Sequence, residues 1–437
     1  MKTLSTVFIG LLLFPLLVNG QKKSYQFDGN GISREVLENY LERAVTMVYL
    51  LIPENPEGNR TYPYQADDIR MLKNIGAKFI GRAIYRWGGE SLLNDPHFWD
   101  SARTIITDLH AHDPDIIFQG CLFEIITEEV DKIKIPDWVF HAYDLPVESR
   151  NFSYKAMLNQ QGKFVDHWRK GSSVPDISER ETQLWFYFLA CSYINVGCEA
   201  FHLGQVELIG VNDPGRNAWS DLIHKIRLYA KEHARRHWVL LDAHVPYGGM
   251  LKGDQSLLDF NSFPLRIKAI PGKLYESKLQ INYLDGIYTK SKGGVSPSGW
   301  KCDHLPYLVE FDNYGRGKAP NIADTTSFFV WGWDEISWFS LQPEPYRNNW
   351  LKYAYNWIRQ TDPNGHLEMP GCRMISCPNE SQNSYRANTK GPACPIGYSQ
   401  EETIKILWKQ QYIEAVLLNA LSIGGPAYVK AIAHIRN

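Results

Sequence analysis

The sequence predicts an α/β fold, a single (β/α)8 TIM barrel with long loops at the carboxyl ends of its strands. Three observations lead there. Apolar runs of five to eight residues alternate with longer stretches of helical period, the pattern of successive parallel βαβ units. The turn after the first run, Ile52-Pro-Glu-Asn-Pro-Glu-Gly, lacks the Gly-rich fingerprint that a doubly wound dinucleotide-binding sheet would want, so nicotinamide and flavin chemistry are disfavoured. The chain has 437 residues, and roughly 415 remain after an amino-terminal signal is set aside, enough for one large barrel domain.

The elements follow in order. Ala44 to Leu51 reads as the first strand, with a helix near Ala66 to Asn74 behind it. Lys78 to Tyr85 is the second strand, followed by a helix from about His97 to His110. Asp115 to Glu124, entered through the turn at Asp113-Pro114, is the third. After a long polar excursion, a helix over Ser178 to Val196 leads through Gly197 into the fourth strand, Cys198 to Leu203. The helix from Ala218 to His233 precedes the fifth, Trp238 to His244. Between Gly248 and Lys301 the pattern weakens. The sixth strand is expected around Leu257 to Phe260, and the period-two stretches Leu265 to Ile270 and Leu279 to Thr289 read as a surface hairpin. Tyr307 to Phe311 is the seventh strand, a Trp-rich loop and a helix over Glu344 to Gln360 follow, His366 to Ile375 is the eighth, and Gln400 to Leu421 is the closing helix.

Met1 to Gly20 places one Lys before a short apolar run that contains Pro15 and ends in small residues, a secretory signal cut after Gly20 rather than a membrane anchor. Residues 21–43 form a lead-in, and 44–437 form the barrel domain. A secreted or periplasmic protein without membrane insertion is expected. The net charge of -2 offers no electrostatic reason for a nucleic acid or an anionic membrane as partner. The 14 Trp and 24 Tyr residues fit either a carbohydrate partner, whose apolar ring faces stack on aromatics, or a large aromatic core. Of seven Cys, Cys121, Cys191 and Cys198 lie in apolar stretches and read as buried thiols; Cys377 and Cys394 are the expected pair in an oxidising compartment. Sequons stand at Asn59, Asn151 and Asn379.

In such a barrel the active site lies at the carboxyl ends of the strands. Two acids stand at that position about a hundred residues apart: Glu207, beyond the fourth strand, and Glu310, ending the seventh in Leu305-Pro-Tyr-Leu-Val-Glu-Phe-Asp. Glycosidic bond cleavage needs two carboxyl groups. One stays protonated and gives its proton to the departing oxygen, while the other stays ionised beside the anomeric carbon. Glu310 and Asp312 share a strand face by the two-residue period. Cys198, Ala200 and His202 form a small-residue face that brings His202 to the mouth, with Gln205 and Glu207 just beyond. Each residue also has a plain structural alternative: a loop acid paired with Arg, or a hydrogen-bonded core histidine.

Carboxylates ending the fourth and seventh strands resemble the acid/base and the nucleophile of the retaining glycoside hydrolases of clan A. The resemblance runs from about Ala44 to Leu421 and rests on topology more than on motif. It implies that Glu207 is the acid/base and Glu310 the nucleophile, with no cofactor. Those enzymes usually carry Asn directly before the acid/base Glu, whereas Val206 stands there in this chain. The signal followed by Gln21-Lys-Lys is also similar to exported bacterial polysaccharide-degrading proteins.

Further candidates line the same end. Glu124 ends the third strand and is an alternative second acid. Asp242 and His244 share a face at the end of the fifth and are placed to orient a substrate hydroxyl. Arg82 and Arg86 suit an acidic sugar or the neutralisation of neighbouring acids. Trp87, Trp331 and Trp333 fall in loops at the same end as the acids, and Trp331 or Trp333 is the favoured sugar platform, the alternative being that one of them plugs the loop core. His110-Ala-His112-Asp113 carries metal-ligand spacing but lies before the third strand, at the end of the barrel opposite any site, so no metal is expected there. Two competing functions remain: a non-catalytic carbohydrate-binding barrel, and a metal-dependent hydrolase using His202, Asp242 and His244 with the acids.

Overall fold

The computed structural model describes residues 23–52, 63–323, 328–376 and 383–409. The signal segment, the 53–62 turn and Cys377 lie outside the described residues, as does all of the closing helix beyond residue 409; the helix itself begins at Glu401. One compact unit, Ser24–Ile406, holds the sheet. No helix among the described residues is long and apolar enough to cross a membrane.

Ten strands form one curled, mixed α/β sheet. They are β1 Ala44–Met47, β2 Phe79–Ile84, β3 Ile117–Cys121, β4 Ala200–Gln205, β5 Leu240–His244, β6 Asn261–Pro264, β7 Tyr307–Glu310, β8 Gly365–Leu367, β9 Met369–Met374 and β10 Ser384–Arg386. The order across the sheet is β8-β7-β6-β5-β4-β3-β2-β1-β9-β10. Every pairing is parallel except that of β9 with β10. The chain around Glu368 therefore serves two neighbours: β8 pairs with β7, and β9 pairs with β1.

The crossovers are helical, as their period requires. They include α2 Gln65–Ile75, α3 Pro96–His112, α5 Arg180–Val196, α7 Asn217–His233 and α9 Glu344–Thr361, with the short α4 Asp137–His141 in the excursion before α5. In α3, Asp95 accepts from the His97 amide, and Pro96 occupies the first turn, where its missing N–H costs nothing. Gly76 (φ 70°) and Gly197 (φ 110°) end α2 and α5 in the left-handed region, a C-terminal stop that glycine adopts without a Cβ penalty.

One apolar layer seals the amino-terminal side of the sheet. Ala44, Phe79, Ile117, Ala200, Leu240, Phe260 and Leu308 pack together, covered by Leu37, Tyr40 and Leu41 of α1 Arg34–Leu41. Each large apolar side chain so buried stabilises the fold by about 1.5–3 kcal/mol.

Several boundaries differ from the sequence reading. The first strand stops at Met47, because Tyr49 takes φ 65° and turns the chain. The sixth strand begins at Asn261, just after the expected Leu257 to Phe260, since Phe260 serves as its entry into the apolar layer. Of the expected hairpin, only Lys268–Ala269 of the first arm pairs, and its partner is Ser277–Lys278, just before the expected second arm Leu279 to Thr289. The eighth strand is broken at Glu368.

Two irregularities matter for the site. Arg82 has φ 56° inside β2, and the β2–β3 register slips between Ile80 and Ile84. A non-glycine residue in that region is strained by roughly 1–3 kcal/mol, and here the bulge re-aims its side chain. Gly204, at φ 62°, produces a similar slip in β4 between His202 and Gln205.

Candidate active site

Glu310 ends β7 with 2% of its surface exposed and is surrounded by cations. Arg82 grips both carboxylate oxygens, with Nε donating to Oε2 at 2.9 Å and Nη2 donating to Oε1. His244, ending β5, meets Oε1 through Nε2 at 2.6 Å. Arg373 of β9 brings Nη1 within 3.5 Å of Oε2 and, through Nη2, lies 3.6 Å from Asp312. Burial alone would raise the acid's pKa, but Arg82, Arg373 and His244 together hold it well below the usual carboxylate range. Burial opposes a charge on His244 too, yet its bond to Glu310 and the charges of Glu310 and Asp312 raise it overall.

A second set of bonds fixes the neighbouring histidine. Asp242 of β5 accepts from His202 Nδ1 at 2.7 Å, from Gln119 Nε2 at 2.6 Å and from Ser262 Oγ at 2.6 Å. These partners assign the proton to Nδ1 and leave Nε2 of His202 as an acceptor, 3.4 Å from Arg82 Nη2. Burial, and then Arg82, lower the pKa of His202 and favour the neutral ring, against the pull of Asp242. Gln119 also accepts from the Arg82 amide at 3.0 Å, which supports the bulge that aims Arg82 inward.

Glu368, between β8 and β9, completes this buried layer. It is 5% exposed, and its Oε1 is buried without a hydrogen-bond partner. Burial first, and the negative charge of Glu310 second, push its pKa up to about 8 against the pull of Arg82 and Arg373. Its carboxyl occupies the hollow beside Gly81 of β2, where an added Cβ would lie only 1.9 Å from Oε1.

The sequence-derived candidates divide into two groups. Arg82, His202, Asp242, His244 and Glu310 converge, and Asp312 adjoins them through Arg373. Glu207 sits instead on the short helix α6 Val206–Ile209, paired with Arg216 and partly exposed. Glu124 is buried and takes both its bonds from Gln205: the amide at 3.0 Å and Nε2 at 2.9 Å. Arg86 donates to the Gly89 carbonyl at 3.2 Å.

Among the aromatics, Trp87 is 40% exposed and contacts Phe123 at 5.4 Å and Trp168 at 5.1 Å between ring centroids. Trp168 in turn donates to the Glu124 carbonyl at 2.8 Å. Trp331 and Trp333 are each 1% exposed. Trp331 stacks on Trp338 of α8 Glu335–Leu341, so these two rings fill the loop core rather than offering a face to solvent.

Glu368, Arg373, Gln119 and Ser262 were not legible as site residues. Glu368 and Arg373 were at least noticeable as charges inside an apolar strand pattern, whereas Gln119 and Ser262 gave no signal.

One ligand atom each from His202, His244 and Glu310 fall within 4.8 Å of one another, spacing that suits a metal ion. Arg82 already supplies a cation there: its Nη2 bonds Glu310 and approaches His202. A divalent ion would have to displace that guanidinium, so the residues do not fit a resident metal. His110 of the His-Ala-His motif bonds the Ile116 carbonyl at 2.9 Å, and Asp113 pairs with Lys78 at 2.6 Å. Both serve the entry into β3.

No family model and no curated protein matches the chain. Solved structures similar to it include a debranching enzyme from Nostoc punctiforme (TM-score 0.29, 10% identity, 52% of each chain). A GH2 beta-galacturonidase from Eisenbergiella tayi gives TM-score 0.37 and 12% identity over 84% of this chain and 51% of the other. An alpha-amylase from Geobacillus thermoleovorans gives TM-score 0.28 and 12% identity over 47% of each. The chain spans about half the length of these proteins, and the values are too low to define either fold or activity.

Proposed function

We propose that this chain is an exported glycoside hydrolase built on a (β/α)8 barrel, with Glu310 as the ionised carboxylate that faces the anomeric carbon. The observation that carries the reading is the clamp on Glu310: a buried acid at a strand's carboxyl end, held charged by Arg82, Arg373 and His244. Arg82, Arg373 and His244 favour the ionised form of this carboxylate against burial, and a low-dielectric site strengthens its attraction for developing positive charge on a sugar ring. The strand order, in which one interrupted segment meets both β7 and β1, supports barrel closure.

The test is release of reducing ends from a panel of oligo- and polysaccharides by the wild-type chain and by Glu310→Gln. Release by the wild type alone supports the reading; equal release by both, or none by either, overturns it. Glu207→Gln, in parallel, tests the acid/base role implied by the clan A resemblance.

Two further outcomes follow from the geometry. Because Arg82 fills the one grouping of metal-ligand spacing among the described residues, chelation with EDTA is expected to leave turnover unchanged. Loss of activity restored by a divalent ion would favour the metal-dependent alternative. Trp87 offers the exposed ring face near this end of the sheet, so Trp87→Ala should raise KM about three- to tenfold, the worth of one stacking contact, with kcat and thermal stability little changed.

A further inference from the structure

We propose that Glu368 is the proton-carrying partner of Glu310, donating to the departing oxygen of the glycosidic bond. The inference rests on the hydrolase reading and names the acid that reading requires. Register carries it. Tyr307 pairs with Gly365, Leu308 with His366 and Val309 with Leu367, so Glu310 and Glu368 are the next residues in step on neighbouring parallel strands. The Glu368 amide donates to the Val309 carbonyl at 2.9 Å, which keeps the two strands in step to that level. Adjacent strands run about 4.8 Å apart. Two carboxyl groups that start at that spacing suit the roughly 5 Å separation of retaining glycosidases.

The side chains also point into the same space. Glu368 reaches past β1 to the hollow beside Gly81 of β2, and Arg82, the next residue, holds Glu310. The environments of the two acids are opposite. Glu310 is paired with Arg82, His244 and Arg373, whereas Oε1 of Glu368 is buried without a hydrogen-bond partner. One proton shared by this pair therefore resides on Glu368, and burial with the neighbouring charge keeps it there up to about pH 8. Glu207, bonded to Arg216, lacks that reason to hold a proton.

The chemistry balances. The Glu368 O–H proton passes to the glycosidic oxygen as its bond to the anomeric carbon breaks and a Glu310 oxygen bonds to that carbon. Water then attacks the carbon, gives a proton to the Glu368 carboxylate and releases Glu310.

The test uses para-nitrophenyl and dinitrophenyl glycosides of hexoses, pentoses and hexuronic acids with the wild type, Glu368→Gln, Gly81→Ala and Glu310→Gln. A better leaving group needs no proton, so Glu368→Gln should lose about a hundred- to ten-thousandfold in kcat/KM on the poorer leaving group and far less on the dinitrophenyl one. The alkaline limb of the wild-type pH profile, with its midpoint near 8, should vanish in Glu368→Gln. Gly81→Ala, which displaces the Glu368 carboxyl, should show the same leaving-group dependence more weakly. A merely structural Glu368 would depress both substrates equally.

Equal loss on both, or no loss, with Glu310→Gln inactive, overturns the role of Glu368 and leaves the hydrolase reading intact. Unimpaired Glu310→Gln, or a wild type inactive on every glycoside, overturns both. If Glu368→Gln does not fold, infrared titration of the wild type and Glu310→Gln decides. A carboxylic-acid band present at neutral pH, titrating lower in Glu310→Gln, supports the pair, and its absence from the wild type overturns it.

Discussion

Glu310→Gln is expected to lower kcat on the order of a thousandfold or more while substrate binding survives. The amide has the size of the acid but neither its charge nor its nucleophilicity, so a loss confined to turnover marks the chemical step. The substitution also bears on the fold, because Arg82 and Arg373 lose their shared anion. Breaking a buried pair in this way costs about 3–5 kcal/mol. Binding by calorimetry and denaturant unfolding at neutral pH separate the two effects. Glu310→Asp provides the control that keeps the charge. A further signature is the His244 ring: its pKa is raised by the bond to Glu310, and it should fall in the Gln variant, as followed by NMR. Wild-type turnover in a folded Glu310→Gln protein would end the proposal.

Arg82→Met is expected to destabilise the fold by about 3–5 kcal/mol at pH 7. It leaves a fully buried carboxylate with only Arg373 and His244, and it removes the donor near His202. The pH dependence has a definite sign. The folded pKa of Glu310 is depressed, so its contribution to stability is present above the unfolded value of about 4.3 and is lost as pH falls through the folded pKa. Removing Arg82 raises that folded pKa, so the gap between wild type and variant should be widest near neutrality and narrow as the medium becomes acidic. His244 acts in the other direction. Its raised folded pKa gives stability that is complete below the unfolded value of about 6.5 and disappears as pH rises through the folded one. Urea unfolding across pH measures both. A gap independent of pH would show that Arg82 acts through packing alone.

The βα units were legible because buried strands and amphipathic helices leave different periods in a sequence. Phe79–Ile84, Ile117–Cys121, Leu240–His244 and Tyr307–Glu310 all fall within the runs expected of them. The sixth strand was misplaced because its residues, Asn-Ser-Phe-Pro, carry no apolar signature: Asn261 bonds the Gly248 carbonyl and Ser262 bonds Asp242. Glu310 and Arg82 stood out as charges at the ends of apolar runs. Glu368 is visible only as a charge within such a run, and its significance depends on a partner 58 residues away in the chain and one strand away in space.

Composition and periodicity by themselves determined an α/β chain of parallel βα units and the strand ends at which charge collects, because burial repeats at short range along the chain. Which charges meet was decided only by tertiary structure. The bulge at Arg82, the register of β7 against β8 and the hollow at Gly81 are properties of neighbouring strands, and they set two buried acids side by side in opposite environments, Glu310 clamped by Arg82 and Glu368 with an unbonded Oε1. Electrostatic coupling depends on distance in space, and that distance is set by the pairing of strands rather than by their order.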